Sequence, residues 1–114
     1  MTGGPFSLTV AVPTPGFEVV AGETVPGGLH GGSRHEHCDY CKGWVFTRPE
    51  GMDDFVNVRT TLLDDPEAYL PFIDTMTSEK LSWATTPARY SFETWPPMEA
   101  FGDLIAEYQA GAQP

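Results

Sequence analysis

With 114 residues and an apolar fraction of 40%, the chain is long enough for one folded domain with a modest core. Its formal net charge of −10, from 16 acidic residues against six basic ones, predicts neither nucleic-acid binding nor docking to anionic lipid, since both need clustered Lys and Arg. No apolar run approaches the length of a membrane span, and residues 1–5 lack the basic and apolar regions of a signal peptide, so we expect a soluble cytoplasmic protein without a membrane partner.

The first third of the chain predicts strands separated by turns. Alternating apolar residues indicate strands at residues 6–12 and 17–21, with a Pro- and Gly-containing turn at 13–16 between them. The Gly-rich stretch 22–32 is mainly loop, with a short strand near Thr24-Val25. This stretch lacks the Gly-Lys-Ser/Thr ending of a phosphate-binding loop, so we do not expect a nucleotide site there.

The middle of the chain continues this pattern. Residues 33–38 and 44–47 are expected to be extended, 48–51 to form a turn, and 55–59 to form a half-buried strand. Asp65 is predicted to cap a short helical turn that begins at Pro66. A further strand is expected at 71–77.

The chain predicts one helix, near its C-terminus. Residues 82–92 look irregular, with an exposed loop at 85–87, and a helix is expected from Pro96-Pro97 to about Gln109, ended by Gly111. Its apolar positions fall on one face and are read as core contacts rather than a cofactor site; they are Phe101, Leu104, Ile105 and Tyr108. The predicted fold class is mainly β with a C-terminal helix.

The only two cysteines stand as Cys38-x-x-Cys41 between two predicted strands. A strand, a Cys-x-x-Cys turn and a second strand are the layout of a zinc knuckle, whereas a thioredoxin-like redox site begins a helix. Lys42-Gly43-Trp44 is a poor helix start, so we interpret Cys38 and Cys41 as metal ligands for a zinc cofactor.

Two thiolates make only half of a four-ligand zinc site. The remaining ligands can come from His30, His35 or His37, from a second chain that forms a four-thiolate bridge, or from water. Strand alternation places His35 and His37 on the face opposite Cys38, so a twist or bulge would be needed to bring either histidine to the same ion.

We expect the remaining polar and aromatic residues to have structural roles. The carboxylate pairs Asp53-Asp54 and Asp64-Asp65 are expected to act as caps and solvated surface, and we predict no catalytic residue among them. Three basic residues could face an anionic ligand, but we expect them to form salt bridges with acidic neighbours instead; they are Arg48, Arg59 and Lys80. Core or cleft-wall positions are expected for Trp44, Trp83 and Trp95.

Taken in order, these segments make the chain resemble the glutathione-dependent formaldehyde-activating family, which includes the centromere-protein-V-like proteins. The resemblance covers residues 3–108. The segments that carry it are Gly4-Pro5-Phe6, Cys38-x-x-Cys41, Trp44-Val45-Phe46-Thr47-Arg48-Pro49-Glu50-Gly51, Val58 to Leu63 followed by Asp64-Asp65-Pro66, and Ser78-Glu79-Lys80-Leu81-Ser82-Trp83.

The resemblance implies a single domain over residues 1–114 with the Mss4-like β-tent fold. It also implies a zinc-dependent carbon–sulfur lyase that acts on S-hydroxymethylglutathione, with glutathione or another small thiol adduct as partner. Family members hold a structural zinc with an early Cys-x-Cys plus a later Cys-x-x-Cys, and a catalytic zinc with a Cys-x-Cys-x-x-Cys run. Cys38 and Cys41 match the second half of the structural site.

The chain also departs from the family pattern. The two N-terminal cysteine motifs have no match here, so we expect a chain that is truncated at its N-terminus relative to the family, with weak or absent activity. His37 stands where an aromatic residue is common, and Lys42 where Gly is common. The alternative prediction is a non-enzymatic binding module that forms a zinc-bridged homodimer.

Overall fold

The computed structural model describes residues 2–112. The chain forms two compact units, Met1–Asp64 and Asp65–Pro114. The described residues form seven strands and one α-helix near the C-terminus, so the prediction of a mainly β protein with a C-terminal helix is confirmed. No helix among these residues has both the length and the apolar character required to cross a bilayer.

The first unit is built on a five-stranded antiparallel sheet with the order β1-β5-β4-β3-β2. Its strands are β1 (Thr9–Pro13), β2 (Thr24–Pro26), β3 (Arg34–Cys38), β4 (Trp44–Arg48) and β5 (Phe55–Arg59). Strands β2 to β5 therefore follow one another across the sheet, and β1 covers the far edge of β5.

The register of this sheet separates an apolar face from a more polar one. Val58 lies opposite Val10 on one side and opposite Phe46 on the other, and this row belongs to the face that carries the buried Val56. Thr47 lies opposite Asn57 on one side and opposite His35 on the other, in a row that belongs to the second face. Because strand side chains alternate, the second face collects polar and aromatic groups from three central strands.

One predicted strand of the first unit is wrong. Residues 17–21 form no strand, although the segment contains Phe17, Val19 and Val20. A 3₁₀ helix at Thr14–Gly16 turns the chain, and the Phe17 ring then packs edge-to-face on Phe46 with the centroids 4.9 Å apart. Val20 is 85% exposed, which shows that this segment contributes one aromatic anchor instead of a paired strand.

The second unit contains short elements. Strands β6 (Ile73–Asp74) and β7 (Tyr90–Ser91) form a two-stranded parallel sheet, which leaves most of the strand predicted at 71–77 outside any ladder. A 3₁₀ helix at Pro66–Ala68 confirms the predicted helical turn, but Asp65 makes no capping hydrogen bond through its side chain.

The predicted C-terminal helix consists of three segments. A 3₁₀ turn at Met98–Ala100 leads into α1 (Phe101–Glu107), and a π-type turn follows at Tyr108–Ala112, in which the backbone of Gly111 is not helical. The predicted apolar face is half-buried, and the Tyr108 ring lies 5.5 Å from that of Phe72. This contact supports the interpretation of the apolar stripe as a packing surface.

Candidate metal centre

The two cysteines lie at the tip of the β3–β4 hairpin, as the strand–turn–strand pattern predicted. Cys38 is the last residue of β3, and its backbone N–H donates to the Gly43 carbonyl at 2.8 Å. The Lys42 N–H donates to the Cys38 carbonyl, also at 2.8 Å. Closing so tight a turn requires Lys42 to adopt a left-handed backbone with φ of 63°, a conformation that is easiest for glycine.

Backbone N–H groups surround both sulfur atoms. The Cys38 sulfur accepts hydrogen bonds from the backbone of Cys41 and of Tyr40 and interacts with the Cys41 thiol, and these contacts lower the pKa of Cys38 from its ordinary value against the opposing effects of burial and of the Asp39 charge. The Gly43 N–H donates to Cys41 Sγ at 3.4 Å. Both cysteines are free thiols. The turn therefore favours the thiolate form of Cys38, which is the form that binds metal.

The histidines of β3 are occupied by contacts away from this tip. His35 Nδ1 lies 2.8 Å from the Thr47 hydroxyl, and His37 Nδ1 lies 3.2 Å from the His35 carbonyl oxygen. A Cβ atom at Gly27 would lie 2.7 Å from the His37 ring, so the chain just after β2 passes directly against this ring. His30 is exposed in the loop before β3.

The β3–β4 hairpin contains a β-bulge, the feature that would be needed to bring His35 or His37 to the same ion as Cys38. The β3–β4 register shifts between Glu36 and His37, which brings His37 opposite Trp44. Within residues 2–112, however, no three His, Cys, Asp or Glu side chains converge on one point that suits a metal ion. The hairpin offers two thiols, which are half of the ligands of a four-coordinate zinc site, and both the metal and its further ligands stay predictions.

Two arginines lie over aromatic rings instead of forming the expected ion pairs. The Arg59 guanidinium carbon is 4.4 Å from the centre of the Trp44 ring, and that of Arg48 is 5.5 Å from both Phe17 and Phe46. Neither arginine takes part in the ion pairs formed among the described residues, and neither does Lys80, so the predicted salt bridges of all three are wrong. The pairing of β4 with β5 brings Arg59 beside Trp44, whereas Arg48 meets Phe46 of its own strand and Phe17 from the segment after β1.

Sequence reasoning misjudged three further side chains. Glu36 is only 7% exposed, and one of its carboxylate oxygens has no hydrogen-bond partner among the described residues. Its position within a charged run of β3 offered no signal of burial. Trp83 and Trp95 are 68% and 67% exposed, so their predicted core or cleft-wall role is wrong, whereas Trp44 is half-buried and lines a cavity.

The carboxylate pairs lie in turns, as predicted. Asp53 and Asp54 are exposed, and their backbone carbonyls accept hydrogen bonds from the side chain and backbone of Thr14. Asp64 and Asp65 are also exposed. Their side chains belong to no converging acidic cluster within the described part of the chain.

Comparison of the chain with family models, with curated proteins and with solved structures finds no significant match in any of the three. The candidate centre therefore rests on the hairpin geometry and the chemistry of its thiols.

Proposed function

We propose that the tip of the β3–β4 hairpin is a zinc knuckle in which Cys38 and Cys41 supply two thiolates to one ion. The observation that carries the proposal is the set of backbone N–H groups directed at both sulfurs from the same tight turn. Such donors stabilise sulfur negative charge before metal arrives, so less rearrangement is needed on binding. The two ligands lie three positions apart, which suits a single tetrahedral ion.

The same proposal includes the fold family and its chemistry. The antiparallel sheet and its Cys-x-x-Cys hairpin support assignment to the Mss4-like β-tent fold and to the formaldehyde-activating family that the sequence resembles. Activity would then be that of a carbon–sulfur lyase on S-hydroxymethylglutathione, with zinc supplying a Lewis acid. Because the 114 residues contain two cysteines, and Cys38 and Cys41 match only the structural site, we expect turnover by this chain to be weak or absent.

Zinc content measured together with molecular size tests the knuckle. Protein purified without added metal should contain about one zinc per hairpin site, and Cys38→Ser or Cys41→Ser should each abolish binding. Tyr40→Phe is the matched control, because it changes an exposed side chain in the same turn and leaves both thiols in place. Zinc retained by both cysteine variants, or absent from the wild-type protein, would overturn the proposal.

A zinc-bridged homodimer is the second candidate, and exposure of the hairpin tip favours it. Cys41 is exposed and Tyr40 is 95% exposed, so a second copy could approach both sulfurs. Four thiolates from two chains would complete a tetrahedral site. This candidate predicts about half a zinc per chain and a dimer that chelator dissociates. A zinc-loaded monomer would contradict it, and loss of zinc on replacing one histidine would identify a local ligand instead.

The lyase expectation has its own measurement. NMR exchange spectroscopy follows the interconversion of formaldehyde, glutathione and S-hydroxymethylglutathione directly. We expect the zinc-loaded chain to raise the exchange rate little above the uncatalysed rate, since the thiols assigned here belong to a structural site. A large acceleration that is lost in Cys38→Ser would show that this hairpin takes part in turnover.

A further inference from the structure

A cavity of about 270 Å³ opens beside the β3–β4 turn in the first unit. Its walls are formed by Thr2, His37, Lys42, Gly43, Trp44 and Arg59. The volume is slightly below the range of about 300–1,000 Å³ that is usual for ligand pockets, so the space suits a small metabolite and not a larger ligand. Two of the lining residues, Lys42 and Arg59, are cations, although the chain as a whole is strongly acidic.

Arg59 is the most unusual group in this cavity. Its guanidinium stacks on Trp44 at 4.4 Å, and its Nε is buried without a hydrogen-bond partner among the described residues. Burial lowers the pKa of this arginine from its ordinary value, although the group stays protonated. A buried donor on a charged group costs free energy unless an acceptor satisfies it.

Among the residues that the structure describes, no carboxylate forms an ion pair with this arginine. The chain has 16 acidic residues and six basic ones. Carboxylates lie within ion-pair distance of Arg34, Lys42 and Arg89, and of none of the other three basic residues in the described part of the chain. Among these three, Arg59 is the one with a buried N–H group that has no hydrogen-bond partner. An unpaired, partly desolvated guanidinium in so acidic a chain leaves a position that an external oxyanion complements.

Neighbouring groups can assist such a ligand. Lys42 Nζ is 2.9 Å from Asp39 Oδ1, which uses one of the three ammonium donors and leaves two. The Trp44 indole N–H is held by the Thr47 hydroxyl at 2.9 Å, so the ring that supports Arg59 is fixed in orientation. The cavity therefore combines a preorganised guanidinium, a second cation and an aromatic wall.

We propose that this cavity binds a small molecule through an oxyanion, either a carboxylate or a phosphate, which pairs with Arg59 and Lys42 while the rest of the ligand contacts Trp44. The proposal does not depend on zinc at the hairpin tip, because none of these contacts passes through a metal. Titration with each anion distinguishes a carboxylate ligand from a phosphate ligand.

Titration of the wild-type protein with succinate and, separately, with inorganic phosphate tests the site by NMR. We expect saturable shifts of the Arg59 Nε–H and the Trp44 indole N–H signals, and the anion with the tighter binding identifies the preferred group. Absence of shifts, or shifts that grow linearly without saturation for both anions, would overturn the proposal. The titration is run with chelator present and with zinc added. Shifts that need zinc would assign the anion to the metal and overturn the proposal as well.

A matched pair of variants separates this site from general attraction to positive charge. Arg59→Gln should weaken binding of the preferred anion by about tenfold or more, since a charge-assisted hydrogen bond is lost. Arg48→Gln makes the same change at another arginine that stacks on aromatic rings but lines a different cavity. It should change the affinity by less than about twofold. Equal losses in both variants would contradict a site at Arg59.

Discussion

At the scale of single residues, Glu107 is the clearest example of a side chain whose ionisation is set by its contacts. Its carboxylate accepts a hydrogen bond from the Tyr90 hydroxyl at 2.7 Å and one from Arg89 at 3.0 Å. The Tyr90 contact, followed by the Arg89 contact, lowers the pKa of Glu107 from its ordinary value against the opposing effect of burial. The same hydrogen bond raises the pKa of Tyr90, because it favours the protonated phenol.

Replacing Tyr90 by Phe should raise the pKa of Glu107 towards its ordinary value of 4.5, since the largest cause of the shift is removed. In the wild-type protein this contact stabilises the fold above the ordinary pKa of Glu107, and the contribution is lost as the pH falls through the folded-state pKa. A carbon-detected NMR titration of the carboxyl group measures the change. Tyr69→Phe is the control in the same unit, and an equal shift in that variant would contradict the assignment to Tyr90.

At the scale of elements, the backbone conformation of the β3–β4 hairpin determines which residue types suit position 42. The structure holds Lys42 with a φ of 63°, in the left-handed region that glycine adopts most easily. Its side chain forms an ion pair with Asp39, which lies in the same turn. The backbone conformation thus explains why glycine suits this position, and the ion pair is a local contact that lysine adds.

Lys42→Gly should therefore strengthen the turn relative to Lys42→Ala by about 1 kcal/mol, because both variants lose the ion pair and only glycine adopts the left-handed conformation without strain. Hydrogen exchange of the Cys38 amide reports on this turn, since that N–H donates to the Gly43 carbonyl. We expect exchange to be about fivefold slower in the glycine variant than in the alanine variant. Equal rates would show that position 42 carries no strain.

At the scale of the whole molecule, negative charge dominates the surface. The formal net charge is −10 and the isoelectric point is about 4.4. The ion pairs among the described residues engage only three of the 16 acidic side chains. Most carboxylates therefore remain free to repel one another and to keep copies of the chain apart at neutral pH.

Self-association should consequently rise as the pH approaches 4.4 and reverse above it, because the mutual repulsion disappears at the isoelectric point. Static light scattering across a pH series measures this. In about 1 M salt, where the screening length falls to about 3 Å, the dependence on pH should flatten. Scattering that is insensitive to pH at low salt would indicate that apolar contacts, not charge, control association.

Some features follow from short stretches of sequence alone. Strands β3, β4 and β5, the helical turn at Pro66–Ala68 and the hairpin around Cys38 and Cys41 were all predicted in place. Their signals are local, because alternation of side chains, proline at a helix start and two close cysteines act within a few residues. The candidate thiols could therefore be named from the sequence.

Other features were decided only by the tertiary structure. Residues 17–21 form no strand, and the Phe17 ring packs on Phe46 of β4 instead. The burial of Glu36 and the stacking of Arg59 on Trp44 depend on which strands lie side by side and in what register. The sequence by itself determined where the thiols and strands β3, β4 and β5 lie along the chain. Strand order and register decided which distant side chains meet, since those contacts join residues that no local pattern connects.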